Sequence, residues 1–347
     1  MEESCVAMGL DIGGANLKGA AVEVDGKGRF RLLYSCVRDF SLTTRDIFEE
    51  VSEEVGGVDV VGVTSTAEYS LRLFRTLGDG IMHYCRDLSF IHGPRILWVN
   101  TDGGLVDNGS LRDPYAVAAA NWVASAAFIG RYVLKDCILV DVGSTTTDIV
   151  PVKDGKPCSN ARFDWERLGR GELVYTGAIN TGVGSILRRI NVAGTESWVS
   201  SEDFSISGDV HLICGNISEL TFRSYTRGNN APPKESLTRL AHMVCADDML
   251  LERRVIEDMA RQVWKKQVSD ISSGLRQVYE SQRTLYRQKP PVICCGLGAE
   301  FLGARAARAC GFDRVTTADR LWGFGVPILA PAVAMAVMAG NGSMEGR

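Results

Sequence analysis

The chain of 347 residues has only four histidines, no C-x-x-C pair, no excess of either charge and no apolar run long enough to cross a bilayer. Each absence removes a class of function. The ten cysteines, from Cys5 to Cys310, are scattered without metal-ligand spacing, which reads as reduced, mostly buried thiols; the Cys294–Cys295 pair reads as a short apolar strand before it reads as a redox site. With 38 Lys+Arg against 42 Asp+Glu the net charge is -4, so a polyanion-binding surface is not expected: no nucleic acid and no membrane surface among the partners. The two most apolar stretches, Ala116 to Gly130 and Gly325 to Gly340, fall short of the roughly 20 residues of a span, and the second contains Pro327 and Pro331. The acidic start Met1-Glu2-Glu3-Ser4 does not resemble a secretion signal, and the expectation is a soluble, cytoplasmic protein.

What is present in excess is glycine, 37 residues or about 11% against a usual ~7%. Glycine-rich turns in a compact chain point to tight backbone, some of it able to hold a ligand. The length suggests about two domains. Cys5 to Asp11, Gly19 to Val24 and Phe30 to Val37 read as strands, the last two joined by the hairpin Asp25-Gly26-Lys27-Gly28. A helix follows over Thr43 to Val55, then strands over Val58 to Val63 and Arg95 to Val99 with a helix between them, then a helix from Asp113-Pro114 to Tyr132.

At Cys137 the pattern restarts. Leu10-Asp11-Ile12-Gly13-Gly14 matches Val140-Asp141-Val142-Gly143-Ser144, and each is followed by a strand closing in Asp-Gly-Lys, with offsets of 130 residues at the aspartates and 129 at the hairpins. Two such units imply a duplicated architecture. Beyond them, Leu168 to Ile190 reads as loops with one short helix and Val210 to Phe222 as strand. Helices are expected over Glu235 to Val244, within Leu251 to Tyr286, over Ala299 to Cys310 and over Val326 to Met338, with a strand at Val292 to Cys295 and the last seven residues disordered.

The Asp-apolar-Gly turns carry the chemistry. Backbone N–H groups in such turns make anion nests, which nominates Gly13, Gly14, Asn16 and Gly143 as phosphate ligands. Ser144, Thr145, Thr146 and Thr147 add hydroxyls, and Lys18 adds a point charge. Asp11, Asp141 and Asp148 are candidate Mg²⁺ ligands, because that ion takes one or two carboxylates and keeps waters. A third turn, Gly296-Leu297-Gly298 before Glu300, is nucleotide-like but lacks a full G-x-G-x-x-G, and its Gly296 and Gly298 join the candidate diphosphate ligands. Taken singly, Asp-Ile-Gly-Gly is equally a plain hairpin turn.

These three turns in this order resemble the actin, Hsp70 and sugar-kinase superfamily of ATPases over nearly the whole chain. The resemblance implies an α/β, duplicated actin-like (ribonuclease H-like) fold, two domains flanking a phosphate-binding cleft. The first would be 1–133 and the second 134–319, with a C-terminal helix at 320–340 returning to the first. In the sugar-kinase branch an Asn-Asp after a strand supplies a base; Val99-Asn100-Thr101-Asp102 is similar but carries an inserted Thr, and Asp102 is equally a turn aspartate. Four further segments, Gly62 to Glu68, Val117 to Trp122, Arg170 to Gly177 and Arg239 to Cys245, resemble the hydantoinase/oxoprolinase-related proteins of one-carbon metabolism, although Ser65 stands where a Met is usual.

Within that family the resemblance points to the methanofuran-biosynthesis branch. It implies a transferase that attacks the CH₂ carbon of an aminomethyl-furanmethanol diphosphate with the phenol oxygen of gamma-glutamyl-tyramine, giving an ether and pyrophosphate. It also implies Mg²⁺ as cofactor, the two small molecules as partners, and leaves a homodimer open. Stabilising the leaving pyrophosphate and ionising a phenol of pKa about 10 are the two tasks. Glu68 and Asp102 are the candidate bases, with Lys18 catalytic through charge. His83 and His242 read as structural, and Arg170, Arg188, Arg189, Arg223 and Arg227 are not separable as carboxylate ligands. The alternatives are an ATP-dependent small-molecule kinase or ring-opening amidohydrolase subunit, and a non-catalytic nucleotide-binding protein.

Overall fold

A computed structural model of the chain describes residues 4–14, 16–39, 43–69, 73–159, 161–226, 232–318 and 330–345. The described residues form two compact units, one from Met1–Cys137, Val152–Asp164 and Leu329–Arg347, the other from Ile138–Pro151 and Trp165–Ile328. The units divide between Cys137 and Ile138, and residues 152–164 group with the first.

In the first unit β1 (Ser4–Ile12), β2 (Asn16–Asp25) and β3 (Phe30–Asp39) form an antiparallel meander. The turn expected at Asp25–Gly28 closes by the Gly28 N–H donating to the Asp25 carbonyl at 2.8 Å, with Gly28 at φ 73. Helix α1 (Thr44–Val55) starts on a reciprocal Thr43–Asp46 capping box and ends at Gly56 in the left-handed region. It carries the chain across so that β4 (Val60–Ser65) pairs parallel to β1. Helix α2 (Leu77–Leu88) does the same for β5 (Arg95–Val99), and β6 (Leu105–Asp107) returns antiparallel. The sheet order is β3-β2-β1-β4-β5-β6.

Met8, Leu10 and Ile12 of β1 pack with Ile47, Val51, Ile81 and Leu88 of the two helices. Strand alternation places Gly9 and Asp11 on the opposite face. There the C-terminal helix (Ala330–Glu345) lies so close that a Cβ at Gly9 would fall 1.7 Å from the Ala332 carbonyl oxygen, and one at Gly62 2.4 Å from that of Met335. The bare backbone of β1 and β4 is thus what seats this helix. It continues through Gly340 to Glu345, so most of the seven residues expected to be disordered are helical; residues 326–329 of the expected helix lie outside the described residues.

The sequence expectation of one helix from Asp113 to Tyr132 is corrected. A single 3-10 turn at Pro114–Ala116 is followed by Ala119 at φ 50, and α3 proper spans Asn121–Tyr132. A positive φ at alanine breaks helical continuity.

The second sheet repeats the first. Strands β7 (Cys137–Val142) and β8 (Thr147–Lys153) are followed by the short β9 (Lys156–Pro157), which pairs with β8. Helix α4 (Asp164–Arg170) precedes β10 (Leu173–Val174), the third meander strand, which was hidden in a segment read as loop. Strands β13 (Val292–Cys295) and β14 (Val315–Thr317) run parallel to β7, giving the order β10-β8-β7-β13-β14. Both sheets place the meander strands in the order third, second, first, followed by two strands parallel to the first.

Between them α5 (Val183–Ile186), the hairpin β11 (Arg189–Val192) and β12 (Thr195–Trp198), α6 (Ser207–Ile213), α7 (Glu219–Tyr225) and α8 (Ser236–His242) lead into the 29-residue α9 (Arg253–Ser281). The expected strand over Val210 to Phe222 is instead the end of α6 and the start of α7, joined by a turn. The Asp209 carboxylate accepts from the Ile206 N–H at 3.1 Å, and Ser218 caps α7 by accepting from the Thr221 N–H, so side-chain caps start two helices where hydropathy alone suggested strand. The expected helix Ala299–Cys310 opens as a π-helix (Ala299–Ala304) and becomes α10 (Arg305–Ala309).

Candidate functional site

Both Asp-apolar-Gly turns close in the same way. The Gly13 N–H donates to the Asn16 carbonyl at 3.0 Å, and the Gly143 N–H to the Thr146 carbonyl at 2.9 Å. The N–H groups of Gly13 and Gly143, expected among the phosphate donors, are therefore engaged in closing the turns themselves.

The second loop is held by a strap, residues 176–181. The Gly143 carbonyl accepts from Ala178 N–H, the Ser144 carbonyl from Ile179 and Asn180 N–H at 2.9 and 2.7 Å, and the Thr145 carbonyl from the Thr181 hydroxyl at 3.2 Å. In a trans peptide the carbonyl and the following N–H point in opposite directions. With three successive carbonyls turned to the strap, the N–H groups of Ser144, Thr145 and Thr146 face the other way, and none has a partner among the described residues. Three adjacent N–H groups facing one way have the form of an anion nest. Its donors come from the residues read for their hydroxyls.

Gly177 makes the strap possible, because a Cβ there would lie 2.5 Å from Thr145 backbone atoms. The strap is anchored in turn by Gln267 of α9, fully buried, whose amide donates to the Thr176 hydroxyl and the Gly177 carbonyl, both at 2.9 Å. His211 of α6 shares the other end of Gln267 at 3.0 Å, and burial pulls the imidazole down to about 3. His211 and Gln267 carry no motif spacing, and sequence reading passed over both.

Thr147 and Asp148 are placed differently from the sequence expectation. The Thr147 hydroxyl is buried and donates to the Thr176 carbonyl at 2.7 Å, so it braces the strap. Asp148 pairs at 2.8 Å with Arg167 of α4, an arginine 1% exposed whose guanidinium also donates to the Glu172 carbonyl. The charge of Asp148 is thus already paired with a buried arginine. Asp141, at the end of β7 and nearly buried, keeps the character of a hard-oxygen ligand. Beside it the Cys295 thiol is pushed well up by burial and by the Asp141 carboxylate, an inert cysteine. No group of three His, Cys, Asp or Glu suited to a metal occurs among the described residues.

The third turn is explained by packing. At Gly296, φ 80, a Cβ would sit 2.4 Å from the Val142 carbonyl oxygen and 2.5 Å from Asp141 Oδ1; at Gly298 it would meet Val142 Cγ1 at 2.4 Å. Both glycines let β13 and its following turn close on the end of β7. Glu300, on the π-helix, is exposed.

In the first unit Asp11 and Lys18 are register partners on β1 and β2, and Lys18 Nζ lies 2.7 Å from Asp11 Oδ2. The lysine is partly exposed and the aspartate buried. Asn16 is buried and Gly14 half-buried. Thr64, the β4 register partner of Asp11, is fully buried with its hydroxyl unpartnered among the described residues.

Glu68 is also buried. Its Oε2 accepts from the Ser65 hydroxyl and its Oε1 from the Ala119 N–H, each at 2.6 Å, while the Ser65 hydroxyl reaches the Ile12 carbonyl at 3.4 Å. Burial raises its pKa. Glu68 therefore explains Ala119: the strained alanine aims its N–H at this carboxylate. Asp102 lies exposed in the β5–β6 turn, where its N–H donates to Asn100 Oδ1 at 3.1 Å.

A family model described as Hydantoinase/oxoprolinase matches residues 70–338. The chain belongs to that family. Among curated proteins, the chain is 29% identical over 298 residues, 85% of this chain and 87% of the relative, to a Methanocaldococcus jannaschii protein named (4-(4-(2-(gamma-L-glutamylamino)ethyl)phenoxymethyl)furan-2-yl)methanamine synthase. A Methanococcus vannielii protein of the same name is 32% identical over 220 residues, 62% of this chain and 96% of the relative. Among solved structures, nucleotide-free acetone carboxylase superposes with a TM-score of 0.57 at 13% identity, over 96% of this chain and 70% of that one. The fold of this hydantoinase/oxoprolinase protein is α/β, with the five-strand order present twice, and it is like that of the acetone carboxylase structure.

Proposed function

We propose that the chain is a transferase of methanofuran biosynthesis, condensing an aminomethyl-furanmethanol diphosphate with gamma-glutamyl-tyramine. The observation that carries the substrates is the 29% identity to a synthase of that name over 85% of the chain. In the reaction the bond from the furfuryl CH₂ to the diphosphate oxygen breaks, the phenol oxygen bonds to that carbon, its proton goes to a base, and pyrophosphate leaves. Positive charge at the furfuryl carbon is delocalised by the ring, so the enzyme's main task is the leaving group.

The second loop suits that task. Three N–H groups fixed in direction by the strap stabilise developing negative charge without reorganising, and the Ser144, Thr145 and Thr146 hydroxyls are only half-buried beside them. Asp141 fits a Mg²⁺ ion held mainly through water, and that ion would neutralise diphosphate charge. In the first unit Lys18 is the candidate cation, oriented by Asp11. Of the two candidate bases Asp102 is the accessible one and receives the phenol proton in this proposal, since both oxygens of Glu68 are occupied by hydrogen bonds.

The test is incubation with the furan diphosphate, gamma-glutamyl-tyramine and Mg²⁺, following ether and pyrophosphate by mass spectrometry. Ether in equal amount to pyrophosphate is expected. Intact substrates together with ATP turnover would overturn the proposal in favour of the ATP-using alternatives.

A further inference from the structure

The peptide that joins Gly177 to Ala178 is held at both ends. Its carbonyl accepts from Gln267 Nε2 at 2.9 Å, and its N–H donates to the Gly143 carbonyl at 2.9 Å. That second carbonyl belongs to the peptide whose N–H is the Ser144 N–H, the first of the three outward donors of the loop. Carbonyl and N–H of a trans peptide point in opposite directions, so each peptide hands the direction of one hydrogen bond on to the next.

Followed back into the core, the direction is fixed at every link. The Gly177 carbonyl can only accept, so the Gln267 amide must turn its NH₂ end to the strap and its Oε1 to His211. Oε1 can only accept in turn, so His211 carries its proton on Nε2, 3.0 Å away, and its Nδ1 accepts from Asn216 Nδ2 at 3.1 Å. His211 and Gln267 are fully buried, and the imidazole lies against the Phe301 and Trp264 rings, with centroids 4.6 and 6.3 Å away. Burial keeps that imidazole neutral, so the tautomer is the variable that matters. Asn216, between α6 and α7, thus starts a line of donors that runs through His211, Gln267 and Ala178 to Ser144, all pointing the same way. Aligned hydrogen bonds in a low-dielectric interior polarise one another, and the final N–H is the one left to face a ligand.

We propose that Gln267 is a positioning residue for the anion held at the second loop, the link in a directed hydrogen-bond chain that ends on the Ser144 N–H. The inference rests on the diphosphate reading of that loop and deepens it. Gln267 touches no ligand; it acts through the Gly177–Ala178 peptide.

Two measurements on the full chain test this. Nitrogen-15 spectroscopy of the histidine rings should show His211 protonated on Nε2; a proton on Nδ1 would reverse the chain and overturn the proposal. Calorimetry with Mg²⁺ and inorganic pyrophosphate, run beside urea unfolding, reads the loop. Gln267→Glu keeps the shape and the acceptor for His211 but, ionised, has no donor for Gly177, and Gln267→Met removes both ends at similar volume. Each should weaken pyrophosphate binding roughly tenfold, the scale of one or two lost neutral hydrogen bonds, and shrink the shift of the Ser144 amide resonance on adding pyrophosphate. The control is Ser272, buried on the same helix with its hydroxyl donating to the Val268 carbonyl at 2.7 Å. Ser272→Ala should lower the unfolding midpoint and leave pyrophosphate affinity unchanged. If Gln267→Met lowers only the unfolding midpoint, or Ser272→Ala weakens binding equally, Gln267 is merely structural and the proposal is overturned while the loop stands as an anion site. If the wild-type protein binds no pyrophosphate, the diphosphate reading fails first and the positioning role falls with it.

Discussion

The loop after β1 and the loop after β7 share an Asp-apolar-Gly triplet and the same closing hydrogen bond, yet their surroundings differ. The second has its carbonyls tied down by the strap at 176–181, which fixes the direction of three N–H groups. The first has the Asp11–Lys18 ion pair and, beneath it, the Glu68–Ser65–Ile12 chain of hydrogen bonds. One loop is built around backbone donors and the other around a side-chain cation. A repeated turn sets position at the end of a central strand; the neighbours recruited by each copy set chemistry.

The comparison breaks most sharply at Gly177. Gly177→Ala puts a methyl group 2.5 Å from the Thr145 backbone, and should lower pyrophosphate affinity of the chain by about 10²-fold, as for loss of preorganised oxyanion donors. Calorimetry with Mg²⁺ and pyrophosphate reads it, and unchanged affinity would mean the strap does not orient the nest.

For the first unit, Glu68→Ala strands the Ala119 N–H, leaves the Ser65 O–H only its long contact to the Ile12 carbonyl to donate to, and should cost about 3 kcal/mol in urea unfolding. Glu68→Gln keeps an acceptor for Ala119 and a donor for Ser65, so most stability and most activity should return. A Gln variant that folds normally but is inactive would make Glu68 the base after all.

The anchor of the strap gives a pH signature. His211 is held neutral by burial, with its pKa near 3 against about 6.5 in the unfolded chain. Between those values the unfolded state binds the extra proton, so stability falls as pH is lowered through this window, by at most about 1.4 kcal/mol per unit from this residue. Denaturation midpoints between pH 7 and pH 4 should fall less steeply in His211→Asn than in the parent, and identical slopes would refute the assignment.

The smallest effect compares the two copies directly. A Cβ at Gly13 would lie 2.8 Å from the Asn16 carbonyl oxygen, whereas one at Gly143 would lie 3.4 Å from that of Thr146. Gly13→Ala should cost about 1–3 kcal/mol and Gly143→Ala well under 1, measured by chemical unfolding; equal costs would show that the two turns are not held differently.

Much of the frame was legible because it is local. Hairpin glycines, capping residues and apolar runs mark β1–β5, β7, β8, β13 and α1, and the offset of 130 residues between Asp11 and Asp141 revealed the duplication. Short elements were not: β10 has two paired residues, too few for any period, and α6 and α7 owe their starts to Asp209 and Ser218. The site was legible as positions and not as roles. Nothing in Ser-Thr-Thr-Thr says that Thr147 turns inward while its three predecessors offer their N–H groups, or that Asp148 belongs to an arginine 19 residues away.

The sequence by itself determined that two glycine turns end two equivalent strands, because turn geometry depends on residues adjacent in the chain. Which atoms of those turns are available was decided only by tertiary structure. The strap, Gln267, His211 and Arg167 reach the second loop from separate elements, and the hydrogen bonds they make leave one face of that loop bound and the other open.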